Sequence, residues 1–207
     1  MKQYDYAIIS VDMHRGHLDP AIATLPLLPK ERCDRVIANT AAFFASARAL
    51  EIPVISVVTI YRDGDEILSN PHWREKNADP SATRKNIAKH NLQGEPTTQI
   101  IPELYREGDY IVNTKKRYSC YYGTDLEFLI RQIGAKNVIL TGINTSSCVL
   151  CTAFESFNRD FGVYVVEDCC DSMDGPEFHE AAVMFINRIL GKVVSSAEIL
   201  EILKGSR

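Results

Sequence analysis

Residues 138–157, VILTGINTSSCVLCTAFESF, decide the fold. Asn137–Thr141 is a short apolar run of strand length, and Gly142 to Thr145 is a turn. From Ser146 to Phe157 the apolar residues recur at helical spacing. The passage is therefore a strand, a tight turn and a helix, with Cys148 in the first helical turn. Reading outward, the same alternation repeats. The run YAIISVD (6–12) is a buried strand ending in an acid. Residues 30–50 form a helix, with Cys33, Ile37, Ala41 and Phe44 three or four apart and Pro29 at its start. PVISVVTIY (53–61) is almost continuously apolar and β-branched, as a central parallel strand covered on both faces should be. Strands follow at Tyr110–Asn113, Val163–Glu167 and Val193–Val194. Helices follow at Thr124–Ile133, Pro176–Leu190 and Ala197–Leu203.

This order predicts a Rossmann-like, three-layer α/β/α sandwich around a central, mainly parallel six-stranded sheet, built as one domain over residues 1–207. Residues 62–96 break the rhythm. They are polar, rich in Asp, Asn, Lys and Pro, and hold the only tryptophan, Trp73. A stretch of that length without periodicity is functional or mobile.

Composition narrows the function. Of the 207 residues, 45% are hydrophobic and 24% charged, with 23 basic and 27 acidic residues for a net charge of −4. The densest basic run is Lys115, Lys116 and Arg117, too short to track a phosphate backbone, so no nucleic-acid partner is expected. The first residues lack the pattern of a secretory leader, and no apolar run approaches the ~20 residues that span a bilayer. A cytoplasmic location and no membrane partner are expected. In that setting the six cysteines (33, 120, 148, 151, 169 and 170) are thiols rather than disulfides.

In open parallel sheets the ligand sits at the carboxyl ends of the strands. Three groups of chemical interest fall there: Asp12 after the first strand, Lys115 after the third, and Cys148 after the fourth. A cysteine at a helix start feels the positive end of the macrodipole, which favours the nucleophilic thiolate; the same cysteine could simply pack between helix and sheet. Asp12 reads equally as a helix cap, a loop acid, or a general base with apolar walls. Lys115 is either a solvated surface group or, beside an acid and a thiol, their counter-charge.

Together these segments resemble the cysteine hydrolases of the isochorismatase-like superfamily, which includes nicotinamidases and N-carbamoylsarcosine and ureidoacrylate amidohydrolases. The resemblance runs nearly end to end, through AIISVDMHRGH (7–17), VNTKKRYSCYYGTDLEFLIR (112–131), VILTGINTSSCVLCTAFESF (138–157), VVEDCCDSMDGPEFHEAA (165–182) and GKVVSSAEIL (191–200). Each is weak alone; the five in order are specific. The resemblance implies Asp12 as general base, Lys115 as catalytic lysine (with Lys116 the alternative) and Cys148 as nucleophile. It also implies a cis peptide between Ile143 and Asn144, and an oxyanion hole from the backbone N–H groups of Asn144 and Cys148. The activity implied is hydrolysis of a C–N bond in a small amide, carbamoyl or ureido compound through a thioester, in a homodimer or homotetramer.

The chain departs from the family at three places. Nicotinamidases carry an Asp-x-His metal pair after the second strand; YRDGDEILSNPHW (61–73) holds Asp63, Asp65 and a lone His72, and neither a metal nor another cofactor is expected. His14 and His17 stand where the family has glutamine and phenylalanine, so His17 lines the pocket or sits in a turn around Gly16. Trp73 and Tyr121 are pocket walls or core residues, and Arg62 or Arg117 could hold a substrate carboxylate. Rival readings are an isochorismatase-type ether hydrolase, which needs no cysteine, a thioredoxin-like dithiol oxidoreductase using Cys148 and Cys151, and a non-catalytic binding protein on the same fold.

Overall fold

The structure is a computed structural model that describes residues 4–82 and 86–206. Six strands form one sheet: β1 (Tyr6–Val11), β2 (Val54–Thr59), β3 (Tyr110–Lys115), β4 (Asn137–Ile143), β5 (Gly162–Asp171) and β6 (Lys192–Val194). Their order is β3-β2-β1-β4-β5-β6, and every neighbouring pair is parallel. The helices are α1 (Arg15–Leu18), α2 (Lys30–Ala49), α3 (Gly64–Leu68), α4 (Pro71–Ala78), α5 (Leu126–Gln132), α6 (Leu150–Phe157), α7 (Pro176–Phe185) and α8 (Ser196–Gly205).

Alternation along each strand builds two cores. Ala7, Ile9 and Val11 of β1, with Ile55 and Val57 of β2 and Val138 and Leu140 of β4, face Leu126 and Ile130 of α5 and Ala153 of α6. Ile8, Val54 and Ile139 point the other way, onto Phe43 and Phe44 of α2 and Ile199 and Leu203 of α8. This is the three-layer sandwich the alternation predicts. β2 is buried at all six positions, as its unbroken apolar run requires.

Several bounds differ from the sequence reading. β3 runs on to Lys115, so the lysine ends the strand instead of following it. β5 continues through the acidic run to Asp171, because a register shift after Leu140 lets Gly142 and Ile143 pair with Cys170 and Asp171. The acids there are satisfied: Asp168 accepts from Ser196 N and Oγ, and Asp171 accepts from Arg32. The helix expected from Ser146 begins as a π-turn, Thr145–Val149, and becomes α-helical at Leu150. The helix after Gly175 likewise ends in a π-turn, Ile186–Leu190.

The described part of residues 62–96 includes the short helices α3 and α4 and a 3₁₀ turn at Ile87–Lys89. Asp63 caps α3 by accepting from Glu66 N. Asn70 caps α4 through His72 N and Trp73 N, with Pro71 at its first position. Their apolar side is a satellite cluster of Tyr61, Ile67 and Ile87 with Leu25 and Trp73 packed on it. No helix among the described residues is long and apolar enough to cross a membrane.

The strand order reverses between β1 and β4, which makes the crevice at their carboxyl ends the natural ligand site. Gly142, at φ 110°, lets the two strands approach: a Cβ there would lie 2.1 Å from the Val11 carbonyl oxygen. Gly142→Ala should cost about 3 kcal/mol or more through strain and overlap. Differential scanning calorimetry should register a melting temperature lower by roughly 6–12 °C for a chain of this size.

Candidate active site

The carboxyl ends of four adjacent strands carry the site in sheet order. Lys115 ends β3, Thr59 ends β2, Asp12 follows β1, and Cys148 lies in the π-turn after β4. Thr59 and Lys115 are register partners. Asp12 adopts a left-handed backbone, φ 53°, rare for a residue with a Cβ, and its N–H is held by Val57 O at 2.9 Å. Lys115 Nζ donates to Asp12 Oδ2 at 2.6 Å, to Thr59 Oγ1 at 2.8 Å and to Cys148 Sγ at 3.4 Å. Asp12 Oδ1 accepts from Thr59 N at 3.0 Å and from Thr59 Oγ1 at 2.8 Å. The lysine and aspartate side chains are 2% and 0% exposed. The sequence reading did not single out Thr59.

Electrostatics follow from burial and pairing. Burial raises the Asp12 pKa, but the charge of Lys115, with His17 and hydrogen bonds from Lys115 and Thr59, holds the carboxyl below its ordinary value. Burial works against the Lys115 cation, yet Asp12 and Cys148 push its pKa up. The Cys148 thiol is pushed up to about 12 by burial, with Asp12 adding to the rise and Lys115 opposing it. The thiolate expected from the helix start is therefore not the resting form. Desolvation, with the neighbouring carboxylate, outweighs Lys115, and the thiol keeps its proton in a hydrogen bond to Asp12.

The cavity above this row measures about 110 Å³, room for a compact occupant. Asp12, Lys115, Cys148, Asn144 and Thr59 form its base, and the Ile143–Asn144 peptide is cis. Ile67, Ile87 and Leu25 make an apolar wall, while Trp73 packs edge-on against Tyr118 at 5.8 Å. His17 and His90 line the opposite side, within a bundle of three rings. His17 stacks on His14 at 4.3 Å and meets His90 at 4.7 Å. Asn91 Nδ2 donates to Nε2 of both His14 and His90 at 3.0 Å. Burial drives the pKa values of His14 and His90 well below the ordinary range, so both rings are neutral. His17 Nδ1 donates to the Asp12 carbonyl oxygen at 3.2 Å.

Of the remaining sequence candidates, His17, Trp73 and Arg117 line the cavity and two do not. Tyr121 is drawn into the core, its hydroxyl paired with Ser156 Oγ at 2.9 Å, and Tyr118 stands at the cavity instead. Arg62 is 76% exposed and is captured by Glu66 one helical turn on. Arg117 donates to Lys116 O and Ser69 Oγ and has no acidic partner among the described residues. The residues after β2 do not fit a metal: Asp63 is spent on capping α3, and no group of three or more His, Cys, Asp or Glu among the described residues is arranged to hold an ion. All six cysteines are free thiols.

A family model for the isochorismatase domain matches residues 6–198. The chain belongs to the isochorismatase family. It is 31% identical over 215 residues to ureidoacrylate amidohydrolase RutB of Enterobacter sp. (strain 638), covering 94% of this chain and 87% of that one. N-carbamoylsarcosine amidase from Thermoplasma acidophilum superposes with a TM-score of 0.71 at 25% identity, covering 95% of this chain and 97% of the other. A cysteine hydrolase from Pseudomonas syringae pv. phaseolicola 1448A shares the fold, with a TM-score of 0.81 at 22% identity over 98% and 94% of the two chains.

The Lys115–Asp12 pair carries a sign for stability. Asp12, with a lowered value, stabilises the fold above the ordinary carboxylate range of ~3.9 and loses that contribution as pH falls through its folded value. Lys115, with a raised value, contributes fully below ~10.4 and loses it only as pH rises through its own. Lys115→Met should cost about 3–5 kcal/mol. Urea denaturation should show the full difference from ~pH 4 to ~pH 10, shrinking at lower pH.

Proposed function

We propose that this protein is a thiol-dependent amidohydrolase that cleaves a C–N bond in a compact amide, carbamoyl or ureido compound, acting as one domain. The observation that carries this reading is Lys115 Nζ bonded at once to Asp12 Oδ2 and to Cys148 Sγ. Family membership and the amidohydrolase and amidase relatives support the same class.

In the mechanism, Asp12 takes the thiol proton as Cys148 Sγ attacks the carbonyl carbon. Coupling the two events avoids a free thiolate, which burial disfavours. The oxyanion is met by the backbone N–H groups of Asn144 and Cys148. Asp12 returns the proton to the leaving nitrogen, ammonia or an amine departs, and a thioester remains. Asp12 then takes a proton from water, whose oxygen attacks the thioester; the C–S bond breaks, the acid product departs, and Asp12 returns the proton to the sulfur. Lys115 stays protonated throughout and offsets whichever neighbour is negative. His17 and His90 give the pocket a polar wall and Trp73 an aromatic one. Arg117, unmatched by an acid, suits a substrate carboxylate. An ether hydrolase would leave a cysteine in contact with a buried ion pair without a task.

Free thiols support a cytoplasmic setting. Phe178, Phe185 and Ile189 are each about half exposed along one side of α7 and its π-turn, and Phe154 and Phe157 are exposed one turn apart on α6. A second copy of the chain covering these helices would hide this apolar surface, supporting a homodimer or a homotetramer.

Cys148→Ala and Cys148→Ser should lower hydrolysis at least a thousandfold, on the order seen when a covalent nucleophile is removed, with melting unchanged. Ammonia release from a panel of small amides, carbamoyl and ureido acids is the assay. Cys151→Ser should retain activity; its loss would favour dithiol chemistry. Light scattering should give a mass above that of one chain, and Phe185→Glu should lower it; a monomeric parent protein would count against the assembly.

A further inference from the structure

Thr59 is the fourth member of the row and the one through which the others are registered. An ionised carboxylate oxygen offers about two acceptor sites. Both sites of Asp12 Oδ1 are taken by Thr59, one by its N–H and one by its hydroxyl. The Thr59 hydroxyl has a single proton, spent on Asp12, and its lone pair receives Lys115 Nζ. Oδ2 accepts from Lys115, which also meets the Cys148 sulfur, so the acceptor site that remains for the thiol proton is on Oδ2.

We propose that Thr59 is a positioning residue that fixes Asp12 Oδ2 as the atom receiving the Cys148 proton. The S–H bond breaks, an O–H bond forms on Oδ2, and Lys115 keeps its charge. Thr59 holds the carboxylate plane on one side through Oδ1 and the lysine on the other through its lone pair, so neither partner can rotate away. The proposal rests on Asp12 as the base. The groups facing Asp12 are Lys115 from β3, Cys148 from the turn after β4, His14 and His17 from the segment after β1, and His90 from the stretch before β3. His14 Nε2 is 3.9 Å from Oδ1. With His14 and His90 neutral, burial at Asp12 is opposed by the charge of Lys115, then by His17, then by the hydrogen bonds of Lys115 and Thr59.

The test reads the thiol directly and needs no substrate. Alkylation of Cys148 by iodoacetamide is followed by site-resolved mass spectrometry across acid to neutral pH. The wild-type rate should fall on an acid limb as Asp12 becomes protonated. Thr59→Val keeps the shape but removes the hydroxyl, so that limb should move up by roughly one pH unit, the size of one charge-assisted hydrogen bond. Thr59→Ser should keep the wild-type limb. A merely structural role would lower the rate at all pH values without moving the limb. If Thr59→Val fails to fold, Thr59→Ala, which adds no bulk, replaces it in the same measurement. A limb that stays in place in the hydroxyl-free variant overturns the role of Thr59 alone. An Asp12→Asn protein that retains the wild-type limb overturns Asp12 as the base.

Discussion

The buried Lys115–Asp12 ion pair is the contact on which the rest of this site depends. Two opposite charges this deep are held only because each has further partners: Thr59 for both, and Cys148 for the lysine. Sheet topology makes the arrangement possible. Lys115 comes from the edge strand, and its long side chain passes the end of β2 to reach a carboxylate beyond β1. The pair thus ties the edge of the sheet to its centre, while burial raises the cost of charging the neighbouring thiol. The site sets a thiol beside a closed ion pair, which is the arrangement the proposed proton transfer needs.

Much of this was legible in the sequence because strand ends are legible. YAIISVD ends in Asp12, and Gly142 announces the turn that leads to Cys148. Thr59 was hidden by its own context: a threonine in a β-branched run looks like ordinary strand propensity. The clue was positional, since β2 lies between the strands that carry Lys115 and Asp12, and its last residue had to lie between them. The helices of residues 62–96 were obscured by their polarity, since α4 buries no residue and so shows no apolar stripe. Their signals were caps: Asp63 with Glu66 three residues on, and Asn70 before Pro71.

Choosing among neighbouring aromatics and arginines was beyond pattern reading. Tyr118 and Tyr121 lie three residues apart, and only packing sends one to the cavity and the other to Ser156. Arg62 and Arg117 differ in the same way: Glu66 claims the first by helical spacing, and no acid among the described residues claims the second. Helix-start logic also misjudged Cys148, because a half-charge at a helix end is weak against full burial beside a carboxylate.

The bundle of His14, His17 and His90 shows how the molecule divides its labour. Asp12, Thr59, Lys115 and Cys148 come from the ends of four strands locked in one sheet. The walls come from the excursion between β2 and β3 and from the short segment after β1. The stretch around Ile67 and Ile87 packs on a cluster of its own, whereas Met13, Leu18 and Leu28 after β1 belong to a sheet core. Change can therefore accumulate around Ile67 and Ile87 without disturbing the base of the cavity. Under the proposed function, a grafted excursion from another family member would change which substrate fits while leaving the row of strand-end groups in place, so selectivity and reactivity in this scaffold can drift at separate rates.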